Sequence, residues 1–242
     1  MKSFDGLKRK RIFLFRHGEV SYLNKENQPV KHPTEVSLTK KGLKEAKLID
    51  TNTKNFIFDR IGCSGLLRTK QTAELLHKRR NLKLLIYPEL EEIKGGTEKN
   101  TKKPDIAKDI AYHFENITSE EDKFFGSGEK YLTVKKRVIS KLESILKEEW
   151  SSMALILHGG VNSVILSWMS DMPITGAAKF DQVPGCMNIL DFDLDSTNKI
   201  RRKLIRVVNI PPDIYNLNLN NFTSWEGVAK EIQQFLYLRP SN

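Results

Sequence analysis

Short apolar runs alternate along this chain with stretches of helical periodicity, and that alternation restricts it to an α/β fold. Residues 11–15 (RIFLF) read as a first strand that ends in the polar RHGE. Residues 39–50 follow as a helix, with Thr39 as N-cap and Leu43 and Ala46 at inward spacing. A second strand is expected over 56–63. After it, SGLLRTKQTAELLHKRR forms a helix with Leu67, Thr72, Ala73 and Leu76 on its inner side and cations at its carboxyl end, where the helix dipole favours them. Residues 82–87 supply a third strand. From Lys130 onward Tyr131, Val134, Val138, Leu142 and Ile145 recur at three- and four-residue steps, which predicts an amphipathic helix ending near Trp150. Residues 153–157 (MALIL) form a buried central strand, and a helix over 161–169 stops before Pro173. Residues 187–192 and 204–208 add two strands, and 223–238 a terminal helix. Strands separated by helices of this length imply a three-layer α/β sandwich, its largely parallel central sheet flanked by helices on both faces.

A length of 242 residues with 39% hydrophobic content suits one domain spanning 1–242. Residues 94–127 are charge-rich and poorly patterned, as a variable insertion with a short helix near 105–114 would be, and 210–242 form a C-terminal extension. The longest apolar run, residues 153–157, falls far short of the ~18 needed for a membrane span. The amino-terminal MKSFDGLKRKRIFLF has a basic stretch before an apolar one, but IFLF is too short for a secretion signal and no small-residue cleavage site follows. Cys63 and Cys186 can form at most one bridge and lie in no metal-binding spacing, so a reducing cytoplasm and no metal are expected. The formal charge of +10 would attract any polyanion. Its clusters at 8–11, 78–80, 135–137 and 201–203 are dispersed and lack the interleaved aromatics of base-stacking modules. They are expected to be mostly a solvated surface, with no membrane or specific nucleic acid as partner.

Two apolar strands each end in a histidine followed by glycine: IFLFRHG places Arg16 and His17 there, and MALILHGG places His158. Ligands of open parallel sheets collect outside the carboxyl ends of the strands at a switch in strand order, so both histidines would face one crevice if their strands were neighbours. Taken singly, each histidine is more often structural. Arg68 lies in the first turn of a helix, where free amides favour an anion, with Ser64 before it as a cap or phosphate contact. Read alone, Arg68 would more commonly be a surface cation. Glu91 and Glu92 follow the third strand, and a carboxyl group partly removed from water there could stay protonated near neutral pH, although adjacent carboxylates are usually just solvated.

RHGE at 16–19, LTKKG at 38–42, SGLLRTKQTAE at 64–74, LEEIKGG at 90–96, GSGEKY at 126–131 and LILHGGVN at 155–162 together resemble the histidine phosphatase superfamily, also called phosphoglycerate mutase-like. The resemblance spans about residues 11–192 in order. It implies a nucleophilic His17, phosphoryl oxygens held by Arg16, Arg68 and His158, and an acidic residue that protonates the leaving group. Glu92 fits that role better than Glu91, because the family's acid is followed by an apolar residue and, four positions on, a glycine, as in Ile93 and Gly96. No cofactor is implied.

Mutases of the family follow RHGE with an asparagine and an aromatic-rich segment, and surround the acid with tyrosine and glycine. Here those stretches read VSYLNKENQPVKHPTEVS and EEIKGGTEKN, which favours hydrolysis. Asn24 stands one position later than the usual asparagine, whereas Ser21 is aligned as a phosphate contact. Gly65 replaces the family's proline. The expected activity is metal-independent hydrolysis of a small phosphorylated molecule through a phosphohistidine. The alternatives are a phosphomutase, a phosphoprotein phosphatase, or a non-catalytic module that binds phosphate or nucleic acid. Loops at 20–37 and 94–127 and the tail after Ile210 are expected to choose the substrate.

Overall fold

The computed structural model describes residues 6–24, 26, 28, 30–95, 107, 108, 110–213, 227, 228, 231 and 232. Six strands, β1 (Lys8–Arg16), β2 (Arg60–Cys63), β3 (Leu84–Ile86), β4 (Ser152–Leu157), β5 (Met187–Leu194) and β6 (Ile200–Ile210), form one sheet in the order β3-β2-β4-β1-β5-β6. Strands β3, β2, β4 and β1 run parallel, while β5 is antiparallel to β1 and β6 to β5. The antiparallel pair follows from the short turn between β5 and β6. Asp195 stabilises that turn by accepting from the amides of Thr197 (2.9 Å) and Lys199 (3.0 Å). The expected layered α/β architecture is present.

Alternation along the strands sorts the core into two layers. Ile12, Leu14, Met153, Leu155, Leu157, Leu190 and Phe192 face the helices α3 (Tyr131–Lys147) and α4 (Gly159–Met169), meeting Val134, Val138, Leu142, Ile145, Val161 and Ile165. Phe13, Phe15, Ile61, Cys63, Ala154 and Ile156 face α1 (Lys40–Asn52) and α2 (Leu67–Arg79), meeting Ile49, Ala73 and Leu76. Strand β4 is buried on both faces, which accounts for its unbroken apolar run.

Leu43 and Leu67 do not face inward as expected; they are 53% and 42% exposed. In α1 the buried side is set by Gly42, Glu45, Ala46 and Ile49, because Gly42 presses on the loop after β1: a Cβ there would lie 2.2 Å from the Glu19 carbonyl oxygen. Leu43 is then rotated outward. In α2 the buried side is Arg68, Thr69, Thr72, Ala73 and Leu76, one position off Leu67. The second and third strands are shorter than expected, β2 starting only after Asp59, whose carboxylate accepts from the Ser151 and Ser152 amides at the start of β4.

The basic cluster at 8–11 is not a solvated surface. Arg9 and Arg11 each make two hydrogen bonds, of 2.7 and 2.8 Å, to their cross-strand partners Asp193 and Asp191. Lys10 points to the other face, is fully buried, and donates to the Leu146 (2.7 Å) and Glu148 carbonyls at the carboxyl end of α3, lying over the Trp150 ring. Burial pushes its ammonium down to about 8.

Part of the expected helix at 105–114 is helical, at 107, 108, 110 and 111, and residues 227, 228, 231 and 232 of the expected terminal helix are helical as well. The remainder of the terminal helix lies outside the described residues. Among the described residues no helix is long and apolar enough to cross a membrane. Both cysteines are buried and free. Replacing fully buried Leu142 by alanine should cost about 2–5 kcal/mol, read as a lower denaturant midpoint at unchanged slope, whereas the same change at exposed Leu43 should stay within about 0.5 kcal/mol.

Candidate active site

Parallel pairing of β1 with β4 sets Arg16 beside Leu157, so the residues that follow, His17 and His158, emerge together at the carboxyl end of the sheet. The pairing continues past the strands, with the His17 amide donating to the Leu157 carbonyl (3.0 Å). This is the switch point of the fold: the chain leaves β1 toward the β3 edge and leaves β4 toward the β6 edge. The two imidazole rings lie 5.2 Å apart at 67°.

His17 is 2% exposed, and its Nδ1 lies 2.7 Å from the Gly18 carbonyl oxygen. That oxygen can only accept, so Nδ1 carries the proton and Nε2 keeps its lone pair. Arg68 Nε donates to this Nε2 at 3.2 Å. Burial first, then the charges of Arg68 and Arg16, holds the His17 pKa well below the usual histidine range. The ring is therefore neutral, with Nε2 as its acceptor. Its loop is fixed by a close crossing of backbones, since a Cβ on Gly18 would lie 2.5 Å from the Gly42 carbonyl oxygen, and by the Gly18 amide donating to Thr72 Oγ1 (3.1 Å). Only glycine permits that approach.

Two guanidinium groups converge on the histidines. Arg68, 3% exposed on α2, also donates to the Pro33 carbonyl at 3.2 Å, and Arg16 Nη1 donates to the Gln182 carbonyl. The Arg16 guanidinium lies against Gly159, where a Cβ would come within 3.3 Å of its Nε. Gln182 is itself anchored, its Oε1 accepting from Asn188 (2.7 Å) and Asn162 (3.2 Å).

His158 is fully buried at the N-cap of α4, with Nε2 2.8 Å from Ser64 Oγ and Nδ1 without a hydrogen-bond partner among the described residues. Burial, followed by Arg68, His17 and Arg16, lowers its pKa as well. Glu92 occupies the amino end of the same helix: its Oε2 accepts from the Gly160 amide and its Oε1 from the Val161 amide, both at 3.2 Å. A side chain at Gly160 would collide with it, a Cβ lying 2.7 Å from Oε1. Arg137 holds the segment that carries Glu92, donating to the carbonyls of Glu89 (2.6 Å), Glu91 (2.8 Å) and Glu92 (3.4 Å) while bound to Glu129.

Arg16, His17, Arg68, His158 and Glu92 thus come together at one end of the sheet. Glu91 lends a backbone carbonyl to Arg137. Asn24 is exposed and accepts from the amides of Glu26 and Gln28, so it organises its own loop. Ser21 Oγ lies 2.6 Å from Glu231 Oε1 and 3.0 Å from the Leu23 carbonyl oxygen. Gly96 lies outside the described residues. Ser64 Oγ lies 2.8 Å from His158 Nε2 and 3.1 Å from Thr69 Oγ1 in the first turn of α2, whose N-cap is Leu66 and has no side-chain cap. Nothing in the sequence singled out Gln182 or Tyr22, Thr72 was legible only as an inner-face residue of its helix, and Arg137 was hidden in a basic cluster. The Tyr22 phenol is pushed up by burial, within reach of the charges of Arg68, Glu92, Arg16 and Glu231. Among the described residues no three His, Cys, Asp or Glu side chains converge as a metal site would require.

The chain is similar to the adenosylcobalamin/alpha-ribazole phosphatase of Salmonella typhimurium, at 28% identity over 189 residues that span 75% of this chain and 90% of that protein. The alpha-ribazole phosphatase of Shigella flexneri superposes with a TM-score of 0.63 at 25% identity, covering 82% of this chain and 96% of that one. A mycobacterial glucosyl-3-phosphoglycerate phosphatase shares the fold, with a TM-score of 0.65 at 19% identity over 84% and 99% of the two chains. The model of the histidine phosphatase superfamily (branch 1) matches residues 12–203, which include all five converging side chains, and the chain belongs to that superfamily.

Proposed function

We propose that this protein is a phosphomonoesterase that hydrolyses a small phosphorylated molecule through a phosphohistidine on His17, without a metal ion. The observation that carries the proposal is the state of His17: Nδ1 is committed to Gly18, and the unprotonated Nε2 accepts from the Arg68 guanidinium. The resemblance to relatives named as phosphatases of alpha-ribazole supports a small-molecule substrate.

In the first half-reaction the Nε2 lone pair attacks phosphorus and the ester P–O bond breaks. Arg16, Arg68 and His158 bind the three non-bridging oxygens as the transferring group flattens. The departing alkoxide takes a proton from the Glu92 carboxyl. In the second, Glu92 removes a proton from water, the water oxygen bonds to phosphorus, and the P–N bond breaks to release inorganic phosphate and restore His17. Both half-reactions use one carboxyl group, which fits a residue seated beside the histidines at the start of α4.

Release of phosphate from an aryl phosphate and a metabolite panel, with chelator present, tests the proposal. Turnover should resist the chelator and vanish with His17→Ala; undiminished turnover in that variant would overturn the assignment. Glu92→Gln should lower kcat/KM, which reports the steps through departure of the leaving group, by roughly 10²–10⁴ on alkyl phosphates and by much less on nitrophenyl phosphate, whose leaving group departs without a proton. Because the His17 pKa is depressed, the neutral nucleophile persists as pH falls below the ordinary histidine value. The acid limb of kcat/KM due to His17 should therefore lie below pH 6.5, and a limb at or above that value would contradict the buried, cation-flanked ring.

A further inference from the structure

The C-terminal helical residues, outside the segment matched by the family, reach the loop that follows His17. Residues 228, 231 and 232 share one side of a helix by their spacing. Val228 and Ile232 pack against Ala107 and Ile110 of the insertion, together with Ala111 and Phe125. That contact turns Glu231 toward the loop after β1, where its Oε1 lies 2.6 Å from the Ser21 hydroxyl. Ser21 Oγ also accepts from the Leu23 amide (3.1 Å), so its orientation is fixed and its one proton lies between Glu231 and the Leu23 carbonyl. The next residue is Tyr22, whose phenol is within reach of the charges of Arg16, Arg68, Glu92 and Glu231 together. The insertion, the loop after β1 and the C-terminal helical residues therefore meet at one place, and the group presented there is a carboxylate.

Resting on the phosphatase reading of the site, we propose that Glu231 is a specificity-determining residue, whose carboxylate disfavours phosphate esters carrying a second negative charge on the leaving group and favours those carrying hydroxyl or ammonium donors. The arginines already supply the positive charge that the phosphoryl group needs. A second anion on the substrate would be repelled by the Glu231 carboxylate, whereas a hydroxyl or ammonium group would find an acceptor. In a chain of net charge +10, which attracts polyanions in general, one carboxylate at the Ser21 loop is a local means of discriminating among them.

Binding of two probes, phosphoglycerate, with a carboxylate on its leaving group, and glycerol phosphate, with hydroxyls, is measured calorimetrically on full-length H17A, in which the proposed turnover is blocked. The ratio of their dissociation constants cancels effects on the shared phosphoryl group. Adding E231Q should lower the phosphoglycerate to glycerol phosphate ratio by roughly five- to tenfold, and E231K should lower it further. A ratio unchanged within about twofold across the three proteins, or failure of both esters to bind H17A, would overturn the assignment of Glu231. Phosphate release from an aryl phosphate by wild type and by E231Q reports separately on hydrolysis. Its absence from the wild type overturns the phosphatase reading, while the binding ratio still decides the role of Glu231.

Discussion

Parallel pairing between β1 and β4 is the constraint on which the rest of the site depends. Register alone sets Arg16 against Leu157, and from that follow the adjacency of His17 and His158 and the position of α4, whose first amides receive Glu92. A slip of one residue would turn every side chain of β1 to the opposite face. The register is held well away from the site: Ile12 and Leu14 are locked into the layer under α3 and α4, Phe13 and Phe15 into the layer under α1 and α2, and Arg9 and Arg11 are bonded to Asp193 and Asp191 on β5. The apolar core and these cross-strand ion pairs thus act together to aim two imidazoles.

Backbone approach is the second device. Gly18 against Gly42, Gly159 against the Arg16 guanidinium and Gly160 against Glu92 are three places where a side chain would push a functional group out of position. Two of these glycines directly follow His158 and one follows His17. The His-Gly pairing visible in the sequence therefore reflects packing around the histidines as much as the turn that leaves each strand.

How much could be read beforehand follows from where the signal lay. The strand runs, the periodicity of α3 and the two His-Gly ends are local patterns, and they located the sheet, its central strand, Arg16, His17 and His158, whereas Arg68 and Glu92 were singled out by the family resemblance. Leu43 and Leu67 were misplaced because helix facing in α1 and α2 is set by Gly42 and Arg68, whose burial depends on the Glu19 backbone and the His17 ring they meet and not on hydrophobicity. Lys10 and Arg137 were read as surface charge because their partners, the carbonyls at the end of α3 and those of Glu89, Glu91 and Glu92, are main-chain groups that carry no sequence signature. Gln182 and Glu231 were silent for a similar reason: each acts on a residue more than a hundred positions away, and only the folded chain brings them together.

Rapid mixing with an isotopically phosphate-labelled ester, followed by an alkaline quench and peptide mapping, tests the proposed mechanism most directly. A transient label is expected on the peptide containing His17, stable to alkali and lost in acid, that accumulates in Glu92→Gln as dephosphorylation slows. Release of labelled phosphate with no covalent label at any time, or a label on another residue, would contradict it.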